Sequence, residues 1–171
     1  MIRKLFLKIK TALALKSNDA IRVSEAYANA KAIGLLYSYN ESVSQSKIDE
    51  LIEKLEADGK SVHTVTFVPV KTGETPEYAY FNENDLAANG NWKNEGVESF
   101  RDNPFDFLIS LDWNINKYTQ NILAASRAKC RVGRFEEEKS QYFELMINPK
   151  DEKYESFLKE VYHYVTNVRN G

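Results

Sequence analysis

Five apolar runs along the chain have the composition of β-strands. They cover residues 32–37, 62–68, 105–111, 129–135 and 142–147. The first and third runs are continuously apolar rather than alternating, which is typical of parallel strands covered on both faces. In the fourth run, Cys130 and Val132 face one way, while Lys129 and Arg131 face the other. The pattern therefore predicts a sheet of about five strands.

Apolar residues at helical spacing fill several of the intervals between these runs. A stripe within residues 48–55 predicts a helix, for which Ser44 and Ser46 are the candidate caps. Three further helices are predicted, over residues 20–30, 115–123 and 154–168. A strand, a helix and a second strand in succession are the pattern of a parallel crossover unit.

The acidic connection over residues 136–140 joins the fourth and fifth runs. It is too short for a helical crossover, so we expect an antiparallel hairpin at this edge. The predicted fold class is thus α/β, a three-layer sandwich with a mostly parallel, Rossmann-like sheet and an antiparallel edge hairpin. Residues 71–103 are rich in Gly, Asn and Glu, and we expect most of them to form a long loop.

The N-terminal segment has a helical pattern of its own. Its apolar positions are Ile2, Leu5, Phe6, Ile9 and Leu13. This spacing predicts an amphipathic helix, with residues 1–30 as an N-terminal helical arm and residues 31–171 as a single α/β domain. The stripe over residues 2–13 has three candidate partners: the protein's own domain, a second copy, or an anionic membrane surface. Docking on protein is the more common use of such a stripe.

The charge of the chain is unevenly distributed. The net charge of −2 combines five basic and no acidic residues within residues 1–16 with 18 basic and 25 acidic residues elsewhere, a net of −7. Because this body is acidic, we expect no nucleic-acid partner. The single Cys130 forms no internal disulfide, lysines interrupt the first apolar stretch, and no apolar run reaches the roughly 20 residues of a bilayer crossing. We expect a cytoplasmic protein, peripheral to the inner membrane if the N-terminal helix contacts lipid.

The first candidate site lies at the ends of the first and third runs. In open α/β sheets, ligands bind beyond the carboxyl ends of the strands where the strand order reverses. The residues placed there are Ser38, Tyr39, Asn40, Asp112, Trp113 and Asn114. Ser38, Asn40 and Ser42 are candidates to bind an anion at a helix N-terminus. Asp112 is a candidate base or ribose ligand and Trp113 a stacking plane, although helix capping is the commoner role of such Ser and Asp residues.

The second candidate site is a basic group around the fourth run, where four cations occur with no acid among them. Arg127, Arg131 and Arg134 are candidates to bind an anion such as phosphate, with Lys129 between them. The alternative is a solvated basic face beside the acidic residues 136–140.

Several segments together resemble a known family. They are residues 32–37, 59–60, 105–109, 128–133 and 145–147. On these segments the chain resembles a family of short Bacteroidetes proteins of unknown function, over nearly its whole length. The third and fourth runs, with the helix between them, are also similar to the N-terminal Rossmann-like domain of heptosyltransferase-type glycosyltransferases. That similarity implies a shared ancestry, although those enzymes bind sugar nucleotide mainly through a second domain.

The sequence carries no recognised catalytic motif. It lacks a glycine-rich dinucleotide turn, a phosphate loop and a nucleophile elbow, and His63 and His163 have no partners at metal-ligand spacing. We therefore expect no metal and no cofactor, and catalytic residues stay unassigned. The leading hypothesis is a non-catalytic binding or interaction module. The alternative is a small nucleotide- or sugar-nucleotide-binding enzyme that uses the crevice near Ser38 and Asp112.

Overall fold

The computed structural model of the protein describes residues 2–40 and 45–169. The helices are α1 (Ile2–Ser17), α2 (Gln45–Ala57), α3 (Glu95–Asp102), α4 (Lys117–Ala125) and α5 (Tyr154–Thr166). The strands are β1 (Ala32–Ser38), β2 (Ser61–Phe67), β3 (Tyr80–Phe81), β4 (Phe107–Ser110), β5 (Cys130–Arg134) and β6 (Leu145–Ile147). Short 3-10 turns cover Val70–Thr72, Glu83–Asp85 and Glu137–Tyr142.

The strands form one six-stranded sheet in the order β3-β2-β1-β4-β5-β6. Every pair is parallel. From β1 the chain steps outward to β2 and β3, then returns to the other side of β1 and steps outward through β4, β5 and β6. This confirms the predicted α/β fold, and the order is that of Rossmann-type sheets. The sequence missed β3 because a two-residue strand has no period to detect.

The predicted antiparallel hairpin at the edge is wrong. β6 runs parallel to β5, with Val132 opposite Leu145 and Arg134 opposite Ile147. The connection makes its crossover with the turn Glu137–Tyr142 in place of a full helix. Tyr142 and Phe143 are buried at the end of this turn, so the short connection covers the sheet as a crossover helix does elsewhere.

Helices cover both faces of the sheet. On one face, α2 and α5 pack their apolar stripes on the inner strands, for example Leu55 and Phe157 against Ile33 and Phe107. On the opposite face, α1, α3 and α4 contribute side chains such as Leu7, Val97 and Ile122 to a second apolar cluster. The continuous apolar character of β1 and β4 follows, because each strand is covered on both sides.

The predicted N-terminal helix is present as α1, which packs against α4. Leu7 and Thr11 are its buried residues. The Thr11 hydroxyl accepts a hydrogen bond from Asn121 Nδ2 at 3.0 Å, and Asn121 Oδ1 accepts one from Trp92 Nε1 at 2.9 Å. These bonds join α1, α4 and the segment before α3 in one buried polar chain. The division into an arm and a domain at residue 31 stays a prediction.

Two local predictions fail for residues between α1 and α4. The predicted helix over 20–30 is wrong, because this segment has no regular secondary structure apart from a turn at 27–29. Its backbone makes tertiary bonds instead, such as Val23 N to Lys129 O at 3.1 Å. Within the predicted long loop, α3 was missed. Its N-cap is Asn94, whose side chain accepts from Gly96 N and Val97 N.

The prediction of Ser46 as a cap of α2 is also wrong. The helix begins at Gln45, so Ser46 lies inside it rather than at the cap position. Ser42 and Ser44 lie outside the described residues.

Arg131 is buried on the face of β5 that meets α4, with a relative exposure of 7%. Its guanidinium donates to both carboxylate oxygens of Glu144, at 2.6 and 3.1 Å, and to Leu123 O at 3.1 Å. The same carboxylate accepts from Arg131 N at 2.7 Å. The prediction of a solvated basic face on this strand is therefore wrong for Arg131, because Glu144 from the β5–β6 connection covers its guanidinium.

We expect Glu144→Ala to lower the free energy of unfolding by about 3 kcal/mol, because it leaves the buried guanidinium of Arg131 unpaired. Urea unfolding followed by far-ultraviolet circular dichroism measures the change. The double variant Arg131→Met/Glu144→Ala is the control, and we expect it to be more stable than Glu144→Ala. Equal stability of Glu144→Ala and the wild type would contradict the structural role of the pair.

Candidate functional site

An open crevice of about 450 Å³ lies at the carboxyl ends of β1 and β4, where the strand order reverses. The structure brings all six residues predicted for this position together in its lining: Ser38, Tyr39, Asn40, Asp112, Trp113 and Asn114. Its volume is within the range of small-molecule sites. A smaller depression of about 170 Å³ lies between α2 and α5, where charged side chains such as Lys47 and Glu50 pair with each other in solvent.

The carboxylate of Asp112 holds the base of the crevice together. It accepts from Ser38 N at 2.6 Å, from Ser38 Oγ at 3.0 Å and from Thr119 Oγ1 at 3.0 Å. Asn116 Nδ2 donates to Ser38 Oγ at 2.7 Å. Asp112 therefore joins the end of β1 to the first turn of α4, and its oxygens face protein donors rather than open space.

The prediction that Asp112 caps the following helix is wrong. The N-cap of α4 is Asn116, whose side chain accepts from Tyr118 N at 2.8 Å and from Thr119 N at 3.2 Å. The chain uses residues 111–115 after β4 to turn from the sheet into the helix, so the capping position falls beyond Asp112. The sequence identified an acid at the strand end correctly but assigned its bond to the wrong partner.

Burial raises the pKa of Asp112 to about 6, although hydrogen bonds from Ser38 and Thr119 act in the opposite direction. The direction follows from desolvation, because the donors around the carboxylate are neutral. Its charge therefore changes close to neutral pH.

Trp113 and Asn114 are held by Arg134 of β5. Arg134 Nε donates to Trp113 O at 2.7 Å, and Arg134 Nη2 donates to Asn114 Oδ1 at 3.3 Å. The guanidinium also lies 4.6 Å from the centre of the Trp113 ring, and the Trp113 and Phe157 rings are perpendicular with their centres 6.0 Å apart. One of the predicted anion-binding arginines thus supports the wall of the crevice.

The other predicted anion-binding residues lie elsewhere. Arg127 Nη1 is 3.4 Å from Asp19 at the surface, and Arg131 is buried with Glu144. Lys129 Nζ is 2.7 Å from Asp106 Oδ1. The structure does not gather the three arginines into one pocket.

Sequence reasoning missed Lys71 and Thr72, which also line the crevice. They occupy the turn that follows β2, so they reach the same edge of the sheet as the ends of β1 and β4. The available signal was their position directly after a strand, since the carboxyl ends of parallel strands meet at one edge. Lys71 is exposed and brings an ammonium group to the crevice.

Both histidines and the cysteine lie away from this crevice. His63 is on β2 beside Phe105, and His163 is on α5. Cys130 is fully buried, and burial raises the pKa of its thiol. Across residues 2–40 and 45–169, no cluster of three or more His, Cys, Asp or Glu side chains has the arrangement of a metal site.

The titration of Asp112 predicts a pH-dependent stability difference between the wild type and Asp112→Asn. The pKa of Asp112 is about 6 in the folded protein and roughly 3.9 in an unfolded chain, so the folded protein binds the proton more tightly. This tighter binding stabilises the fold fully below the unfolded pKa, and the stabilisation is lost as pH rises through 6. We expect wild-type stability, relative to the variant, to fall by roughly 2 kcal/mol between pH 4 and pH 7. Urea unfolding at one-unit pH intervals measures this, and a constant difference would contradict it.

Comparison with known proteins places the chain in a family. Residues 3–168 match DUF6913, which is described as a family of unknown function. A search of curated proteins and a search of solved structures give no match. Because the match extends over almost the entire sequence, the chain belongs to the DUF6913 family of unknown function.

Proposed function

We propose that the protein is a non-catalytic binding module that takes a mononucleotide or nucleotide-sugar in the crevice between β1 and β4. The observation that carries the proposal is the crevice itself, an open space of about 450 Å³ with both polar and apolar lining at the point where the strand order reverses. Its base is rigid because Asp112 ties β1 to α4. A preformed polar site loses little conformational freedom when a ligand binds.

The chemistry of the lining supports this ligand class. Trp113 offers an aromatic surface to a base or sugar ring, and the side-chain amides of Asn40 and Asn114 supply groups of the kind that bind ring substituents and hydroxyls. Lys71 supplies a cation for a phosphate. The sequence from the last residue of β1 onward reads Ser38-Tyr39-Asn40 and lacks the glycines that let a dinucleotide pyrophosphate approach the backbone, which favours a smaller phosphate group.

The bonding of the polar groups supports binding rather than catalysis. A general base needs a free acceptor towards the substrate, but both oxygens of Asp112 accept from protein donors. The Ser38 hydroxyl donates to Asp112 and accepts from Asn116, and both histidines lie elsewhere. These groups maintain the shape of the crevice.

A thermal-shift panel of mononucleotides and nucleotide-sugars at millimolar concentration tests the proposal. We expect at least one compound to raise the melting temperature by about 5 °C, as a ligand at roughly one hundred times its Kd does for a domain of this size. Titration calorimetry then gives the affinity. Failure of every compound to stabilise the protein would contradict the proposal.

The variant Lys71→Ala tests whether the stabilising compound binds in the crevice. We expect it to weaken the stabilising compound about tenfold, because one charge-assisted hydrogen bond to phosphate is lost. Lys139→Ala is the matched control, since Lys139 lies in the turn before β6, outside the crevice lining. An equal effect of both substitutions would place the ligand elsewhere.

A further inference from the structure

Helix α1 presents two apolar faces, and its own domain covers one of them. The inner face contains Leu7 and Thr11, which are buried against the domain. The outer face carries five large side chains with relative exposures between 41% and 63%: Ile2, Leu5, Phe6, Ile9 and Leu13. These five residues are the apolar stripe predicted from the sequence, so that stripe is the exposed face of the helix.

The five exposed side chains form one continuous ridge. Leu5, Ile9 and Leu13 follow one another at intervals of four residues, and Ile2 and Phe6 stand beside them on the same side. At about 1.5 Å per residue, the ridge extends over most of a helix roughly 24 Å long. Contiguous exposed apolar surface of this kind is uncommon on soluble proteins and marks an interaction surface.

Basic residues flank the ridge, and α1 contains no acid. Helical geometry places Lys8 along one side of the ridge and Arg3 and Lys10 along the other, with Lys16 in line with the ridge at its C-terminal end. Arg3 Nη1 also reaches the carbonyl oxygens of Glu83 and Leu86 at 3.4 Å, so its side chain lies at the boundary between helix and domain. The outer face is therefore apolar in the centre and positive at both margins.

The domain holds α1 in a fixed orientation. Gly90 has φ of +79°, and a Cβ atom there would lie 2.9 Å from Leu7 N and from Phe6 C. The backbone of α1 thus packs directly on this glycine. Asn121 bonds to Thr11 from α4, and Lys10 bonds to Asn91 beside Gly90. The outer face is consequently presented as a rigid surface.

We propose that the outer face of α1 binds the surface of an anionic membrane. In this arrangement the apolar ridge enters the boundary between headgroups and acyl chains, and Lys8 and Lys16 extend to the anionic headgroups, while Lys10 stays bonded to Asn91. Charge favours this occupant over a second copy, because two α1 helices face to face would bring their flanking cations together with no acid on either helix. None of the described helices is long and apolar enough to cross a membrane.

Sedimentation of the full chain with vesicles tests this assignment. One set of vesicles contains phosphatidylglycerol and phosphatidylcholine in equal amounts, and the other contains phosphatidylcholine alone. We expect binding to the anionic set to be at least about tenfold tighter, and to weaken as salt rises from 0.05 to 0.5 M, because the flanking cations contribute through screened attraction. Equal sedimentation with both sets, or no sedimentation with either, would overturn the proposal.

Substitutions on the exposed ridge identify the surface that binds. Leu5→Asp/Ile9→Asp changes only solvent-exposed positions, so we expect an unchanged melting temperature and a loss of vesicle binding of tenfold or more. Tyr164→Asp is the matched control, since it replaces one exposed aromatic residue on α5. If the ridge variant binds vesicles as the wild type does, α1 is not the contact and the proposal fails.

The same variants separate lipid from protein as the occupant. Light scattering without vesicles reports the oligomeric state of the wild type and of Leu5→Asp/Ile9→Asp. A monomeric wild type that binds anionic vesicles supports the proposal. A wild-type dimer that the ridge substitutions convert to monomer, with no vesicle binding, assigns the face to a second copy and overturns it.

Discussion

Parallel pairing on both sides of β1 is the constraint on which the rest of this structure depends. β1 pairs in parallel with β2 along its whole length and with β4 along the other edge. Parallel neighbours require connections that cross a face of the sheet, and α2, α3 and α4 pack on it between successive strands. Both faces are therefore covered, and the reversal of strand order beside β1 leaves a crevice between the connections.

Two carboxylates secure the pairing of β1 with β4, one at each end of β4. Asp106 accepts from Lys31 N at 2.7 Å, Ala32 N at 3.0 Å and Lys129 Nζ at 2.7 Å, while Asp112 accepts from the neutral donors of Ser38 and Thr119. Burial opposes ionisation at Asp106, but the bonds from Lys129 and the backbone outweigh it and lower its pKa. At Asp112 burial prevails and the pKa rises. Deeper burial at Asp112, and the bonds from Lys129 and two backbone amides at Asp106, account for the opposite shifts.

Helix α4 connects the two surfaces for which we propose binding. Thr119 on its first turn donates to Asp112 at the crevice, and Asn121, two residues later, donates to Thr11 of α1. The same helix places Ile122 and Leu123 in the apolar cluster below it. One short helix thus supports the base of the crevice and the inner face of α1, while the outer face of α1 and the mouth of the crevice stay open to separate partners.

The sequence by itself determined the α/β class, the strands β1, β2, β4 and β5, and the position of the crevice, because apolar runs and polar strand ends are local patterns. It also identified the apolar stripe of α1. Only the tertiary structure decided the parallel direction of β6, the burial of Arg131 against Glu144, and the bonds of Asp112 to Ser38 and Thr119. It likewise decided that the α1 stripe faces outward. The physical reason is that periodicity records which side chains avoid water, whereas the partner of each side chain depends on segments distant in sequence.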